Sequence, residues 1–187
     1  MPEARMGTSL RHVAGAAALA ILLVGSRAPA QSSSIASRFD GPQNGWISAS
    51  FGEGGNPGSS SVLAGTLAGW YSAGSIVGGV RAAGVSPLYS GESVDDIAAL
   101  AGLRTSGRRA FLLGALGYAS VHSYHTCECS PNPSRDDPRV SGLAYSLQAL
   151  ANIKFIGIGA EYFGAVGPGR ASMHALALSL QLGWFGP

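Results

Sequence analysis

From His174 to Phe185 the chain reads HALALSLQLGWF, and bulky and small residues alternate at every step. Leu176, Leu178, Leu180, Leu182 and Trp184 share one parity, while Ala175, Ala177, Ser179, Gln181 and Gly183 share the other. A β-strand sends successive side chains to opposite faces, so a period of two means a strand with one apolar face and one small or polar face. A single strand of this kind fits many folds. Whether the pattern repeats, and which compartment the chain reaches, decides among them.

The pattern does repeat. Eight runs occupy 45–53, 61–72, 75–85, 94–105, 108–122, 139–151, 154–164 and 170–185, each bounded by a break. Runs of about ten residues at period two have the length of tilted strands that cross a bilayer. In the sixth run Leu143, Tyr145, Leu147, Ala149 and Ala151 oppose Ala144, Ser146 and Gln148. In the seventh Ile156, Ile158, Ala160 and Tyr162 oppose Gly157, Gly159 and Glu161. In the fourth Ile97, Ala99, Ala101 and Leu103 oppose Asp96, Gly102 and Arg104, with Leu100 out of phase. In the fifth Leu112, Leu113 and Leu116 do not keep one parity, which predicts a bulge or burial on both faces.

The breaks alternate in length. Ala73-Gly74, Ser106-Gly107 and Asn152-Ile153 suit tight turns, whereas 54–60, 86–93, 123–138 and 165–169 read as loops. An antiparallel meander then gathers the loops at one end, as outer-membrane barrels do. Trp46, Trp70, Tyr71, Phe111, Phe155, Trp184 and Phe185 fall near the tight-turn end. Phe51, Tyr89, Tyr118, Tyr124, Tyr162 and Phe163 fall near the other, which suggests two interfacial belts.

The N-terminal segment supplies the compartment. Arg5 and Arg11 precede an apolar run at 13–25, and Ala28-Pro29-Ala30 fits the small-x-small cleavage rule. The expectation is a secretory signal over 1–30 cleaved near Ala30, a short polar periplasmic leader over 31–44 and a barrel domain over 45–187. The signal carries three arginines and one glutamate, so nine basic and nine acidic residues remain and the formal charge falls from +2 to zero. That balance gives no footprint for nucleic acid.

The fold class expected is all-β: an eight-stranded antiparallel up-and-down transmembrane β-barrel. In lipid every backbone polar group pairs within the protein, and a closed barrel achieves this without an edge. The leucine face of the last run then meets hydrocarbon, and the small face fills an interior that eight strands leave only wide enough for side chains. This places Arg81, Asp96, Arg104, Gln148, Glu161 and Gln181 inside. Buried charge is costly unless paired, so an Arg–carboxylate network with the two glutamines bonded around it is expected.

On these features, and on the terminal stretch LQLGWF at 180–185, residues 45–185 resemble the small eight-stranded outer-membrane barrels of the OmpA/OmpX type. The resemblance implies residence in the outer membrane of a Gram-negative-type envelope. It also implies a final strand whose terminal Phe is read by the outer-membrane assembly machinery, although here Gly186-Pro187 follows Phe185. It implies no particular activity.

Chemistry-bearing clusters are few. His122, His125, Cys127 and Cys129 can supply four N/S ligands to a metal such as zinc, and the exported cysteines can instead close a disulfide. Neither reading is excluded by the spacing. His122 with Ser123, His174 with Ser172, and Glu161 are the residues a lipid-modifying enzyme would use, yet no catalytic motif surrounds them. Arg135-Asp136-Asp137 reads as a solvated turn or a contact for divalent cations and lipopolysaccharide headgroups. The expected function is therefore non-enzymatic and cofactor-free. It is a filled barrel set among membrane lipids and lipopolysaccharide, whose loop 123–138 presents a surface to partners. The alternatives are a narrow solute channel, a lipid-modifying membrane enzyme, and a soluble periplasmic ligand binder of lipocalin type. In the last, the leucine parity of the eighth run turns inward.

Overall fold

The computed structural model describes residues 43–184 except 58, 89–90, 106, 108, 127–137 and 170. The expected signal peptide, most of the leader, Tyr89, Cys127, Cys129, Arg135-Asp136-Asp137 and Phe185 lie outside the described residues.

Eight strands follow one another: β1 (Gln43–Asn56), β2 (Ser59–Ala73), β3 (Ile76–Ser86), β4 (Gly91–Arg104), β5 (Ala110–Thr126), β6 (Val140–Ile153), β7 (Ile156–Val166) and β8 (Ser172–Trp184). Each pairs antiparallel with the next, and β8 pairs with β1 to close the barrel. The first strand begins at Gln43, inside the expected leader.

The alternation of the last run translates directly into two faces. Leu178 is 75% exposed and Gln181 is fully buried, with Leu176, Leu180 and Leu182 on the outside and Ala175, Ala177 and Ser179 on the inside. A soluble lipocalin-like barrel needs the reverse, so the structure overturns that alternative. Ile47, Phe51, Leu67, Val80, Ile97, Leu103, Leu116, Tyr118, Leu143 and Ile158 extend the apolar outer wall around the barrel.

The fifth run is regular. β5 holds its register against both β4 and β6 without a shift, so the bulge that the leucines suggested is absent. Phe111, Leu113 and Ala115 face in, while Leu112, Leu116 and Tyr118 face out. Leu100 also faces in. These leucines broke the outward pattern because this part of the interior is itself apolar. An irregularity of register does occur in β1, between Gly54 and Asn56.

The ends differ from the sequence expectation. β1 and β2 run on to Asn56 and Ser59, so the 54–60 loop is a tight connection through Pro57. β4 and β5 are joined by 105–109 rather than by a two-residue turn. The strong asymmetry rests on the β5–β6 connection, which is far longer than the rest.

Two turns sit slightly later in the chain than their composition suggested. The β2–β3 turn is Gly74-Ser75 and the β6–β7 turn is Lys154-Phe155. Each needs one left-handed residue: Gly74 has φ 61° and Lys154 has φ 58°. Glycine takes that conformation freely, whereas a side chain pays for it. Lys154→Gly is therefore expected to raise barrel stability by about 1 kcal/mol, read as a higher urea midpoint in lipid vesicles; an unchanged or lower midpoint contradicts the strain. Inward curvature imposes a different demand at Gly117. A Cβ there would lie 1.8 Å from the Ala99 carbonyl oxygen, so only hydrogen fits.

Candidate functional site

The barrel presents two surfaces on which function can act: its interior and the polar rim of its outer wall. The interior is filled in three tiers. At the tight-turn end, Trp46, Trp70 and Phe111 all point inward. Trp46 stacks on Trp70 at 6.4 Å between centroids and meets Phe111 edge-on at 5.8 Å. The Arg104 guanidinium lies over both Trp46 and Phe111, at 5.8 and 5.4 Å from the ring centroids. A cation over an aromatic face is attracted by the ring quadrupole, so Arg104 caps this aromatic plug. Three aromatics assigned to the lower interfacial belt, and Phe163 of the upper one, thus belong to the core, because position along a strand does not reveal which face a ring takes. Tyr71 and Phe155 do face outward at this end.

The middle tier centres on Glu161, which is completely buried. Its Oε2 accepts hydrogen bonds from Ser50 Oγ at 2.5 Å and Thr66 Oγ1 at 3.2 Å. Its Oε1 accepts from Ser146 Oγ at 2.8 Å and Gln148 Nε2 at 3.1 Å. Gln181 Nε2 then donates to Gln148 Oε1 at 3.0 Å. Three strands, β1, β2 and β6, therefore send donors to one carboxylate on a fourth, β7, and those donors are neutral hydroxyls and an amide. Below them Trp70 Nε1 donates to Ser48 Oγ at 3.1 Å, which ties this tier to the plug.

The third tier is an ion pair. Arg81 and Asp96 are buried and bonded through Arg81 Nη2 and Asp96 Oδ2. Arg81 Nη1 donates to the Tyr145 carbonyl at 2.7 Å and Nη2 to the Gly164 carbonyl at 3.1 Å. The guanidinium also lies over the Phe163 ring, 5.4 Å from its centroid. Toward the loop end, Ser123 Oγ donates to Glu92 Oε1 at 2.7 Å.

The six polar residues expected inside thus serve three separate tiers. Arg81 and Asp96 pair with each other. Gln148 and Gln181 attend Glu161 rather than an arginine, and Arg104 sits on the aromatic plug. The expected single network divides because opposite signs at different heights do not meet. Sequence reasoning missed Ser50, Thr66 and Ser146 as partners of Glu161 and missed Phe163 as the platform for Arg81. Their parity was the available signal, since each shares the inward face of its strand.

On the outer wall, His122 Nδ1 and Asp95 Oδ1 are 3.1 Å apart, and Arg139 Nη2 donates to Asp95 Oδ2 at 3.2 Å. Tyr124 stacks on the His122 ring at 5.4 Å. Among the possible metal ligands, His122 is thus engaged with Asp95, and Cys127 and Cys129 lie outside the described residues. No group of three or more His, Cys, Asp or Glu side chains with metal-binding geometry occurs among the described residues.

No protein-family model matches the chain, and comparison with curated proteins finds no match. Solved structures do match. Ail, the attachment invasion locus protein of Yersinia pestis, in complex with the heparin analogue sucrose octasulfate, aligns at TM-score 0.54 with 14% identity. The match covers 76% of this chain and 99% of that one. Neisserial surface protein A (NspA) aligns at TM-score 0.61 with 9% identity, covering 75% of this chain and 96% of that one. At such low identity the likeness is one of fold: the small eight-stranded barrel of outer-membrane proteins.

Proposed function

We propose that this chain is an outer-membrane protein that works through its surface, as a sealed barrel carrying loops, rather than as a channel or an enzyme. The observation that carries this reading is the contrast between its two faces. The outer wall is a continuous apolar band, and the inside is occupied by side chains from the Trp46–Trp70–Phe111 plug to the Glu92–Ser123 pair. Hydrocarbon is the solvent such an exterior suits, and a tube filled in this way lacks the open aqueous lumen of a porin.

The fold shared with Ail and NspA supports the same location, following export by the signal over 1–30. The Ail structure was solved with a sulfated sugar analogue, which favours a surface-binding role for this architecture. The β5–β6 connection is the loop with most reach, so it is the segment assigned to partners. Membrane lipids and lipopolysaccharide surround the wall, and the aromatic end of the last strand serves the assembly machinery.

Two measurements test the reading. Cell fractionation is expected to place the protein in the outer membrane, with unboiled and boiled samples migrating differently in gels. Identical migration together with a soluble periplasmic protein would contradict it. In planar bilayers many insertions are expected to stay electrically silent, whereas steady unitary conductance would favour the channel.

A further inference from the structure

The outer wall carries a polar cluster that the sealed interior does not explain. Asp95 has the same parity as Ile97 and Leu103 and faces outward with them. It pairs directly with His122 across the β4–β5 ladder. One carboxylate oxygen engages His122 Nδ1 and the other takes Arg139 Nη2. The three side chains stay accessible, at 32% for Asp95, 22% for His122 and 48% for Arg139. Asp95 therefore orients His122 of the neighbouring β5 and Arg139 just ahead of β6, while His122 Nε2 and the remaining Arg139 N–H groups have no other partner among the described residues.

The depth is specific. Ile97 faces outward in the row just below, beside Ser120 and Ser141, and Tyr118 and Leu143 face outward in the row beneath that, so the cluster stands at the polar upper edge of the apolar wall on this side. Beside it the wall is recessed. The register aligns Gly65, Gly84 and Asp95 in one row across β2, β3 and β4, and Leu67, Ala82 and Ile97 in the row beneath. These six residues line a shallow, open groove. Wall packing does not require its glycines. A Cβ at Gly65 or Gly84 would approach its nearest neighbour no closer than 3.6 Å, in contrast to the clash at Gly117.

We propose that Arg139 and His122, held by Asp95, bind the phosphate of a lipid in the adjoining leaflet, whose acyl chain lies in the groove over Gly65, Ala82 and Gly84. This rests on the outer-membrane reading above. The chemistry favours this occupant because the donors and the groove adjoin at the boundary between headgroup and hydrocarbon. Free phosphate has no use for the groove, and a plain acyl chain has no use for the donors. Guanidinium presents a planar fork of N–H groups that matches phosphate oxygens, and such charge-assisted bonds are the strong ones.

The test is lipid retention by the full barrel in native mass spectrometry. The probes are lipopolysaccharide and the same lipopolysaccharide after enzymatic dephosphorylation. The parent protein is expected to retain the phosphorylated form preferentially, and excess inorganic phosphate is expected not to displace it. Arg139→Gln is expected to lower retention by about tenfold or more, the scale of one charge-assisted hydrogen bond. His122→Gln is expected to lower it less, and Gly84→Leu to lower it by filling the groove. Equal retention of the two probes, or unchanged retention in Arg139→Gln, overturns the proposal. Displacement by inorganic phosphate also overturns it, in favour of a soluble anion. Every variant is first checked for the heat-dependent gel shift. A folded variant without lipid isolates the clamp, while a parent protein without the shift refutes the membrane reading instead.

Discussion

Arg81→Ala is expected to lower the stability of the barrel by about 3–5 kcal/mol, the usual cost of stranding one member of a buried ion pair. The substitution leaves Asp96 buried without its cation and frees the Tyr145 and Gly164 carbonyls that Arg81 satisfies. It also strips the cation from the face of Phe163. Urea titration in lipid vesicles measures the loss, with the buried Trp46 and Trp70 as fluorescent reporters. The paired substitution Arg81→Met with Asp96→Leu is expected to recover most of it. Buried pairs replaced as a unit by apolar side chains of similar volume are often neutral or stabilising. An Arg81→Ala barrel that unfolds at the parent midpoint would show that the pair contributes nothing.

Glu161 gives the second large effect, and its sign depends on what replaces it. Glu161→Leu removes the acceptor from Ser50, Thr66, Ser146 and Gln148 together. Each buried donor left unmade costs about 1–3 kcal/mol, and because the four share one site the losses do not simply add. A total of about 3 kcal/mol or more is expected on that scale. Glu161→Gln keeps a carbonyl acceptor and discards a buried charge, and the surrounding hydroxyls can reverse their roles. It is expected to stay within about 1 kcal/mol of the parent on the same scale. If Gln costs as much as Leu, the charge itself organises the tier and the hydrogen-bond count does not.

The contrast between these sites explains what could be read in advance. Period-two alternation assigned Gln181, Gln148 and Glu161 to one side of their strands because a strand has only two sides. The same rule would have named Ser50 and Thr66 had parity been carried through the first two strands. It could not reveal that Glu161 collects neutral donors while Arg81 selects Asp96. Those partnerships depend on the relative heights of residues in different strands, which the ladder register sets. The aromatics teach a related lesson. Trp46 and Tyr71 lie at the same end of the barrel, yet one is buried in the plug and the other is exposed on the wall. Distance along a strand predicts height in the barrel, but facing depends on parity.

Alternation, repeated along the chain, was enough by itself to determine an eight-stranded barrel, with the leucines of the last strand outside and its small residues within. Side-chain periodicity is a local property of extended backbone, so it is written residue by residue. Only the closed tertiary structure decided that the interior divides into a plug, a carboxylate tier and an ion pair, and that Asp95, His122 and Arg139 share one spot on the wall. Some of those meetings join strands distant in the chain, as Ser50 with Glu161 and Trp46 with Phe111, and others join neighbouring strands; all of them exist only once closure and register have brought the residues to a common height.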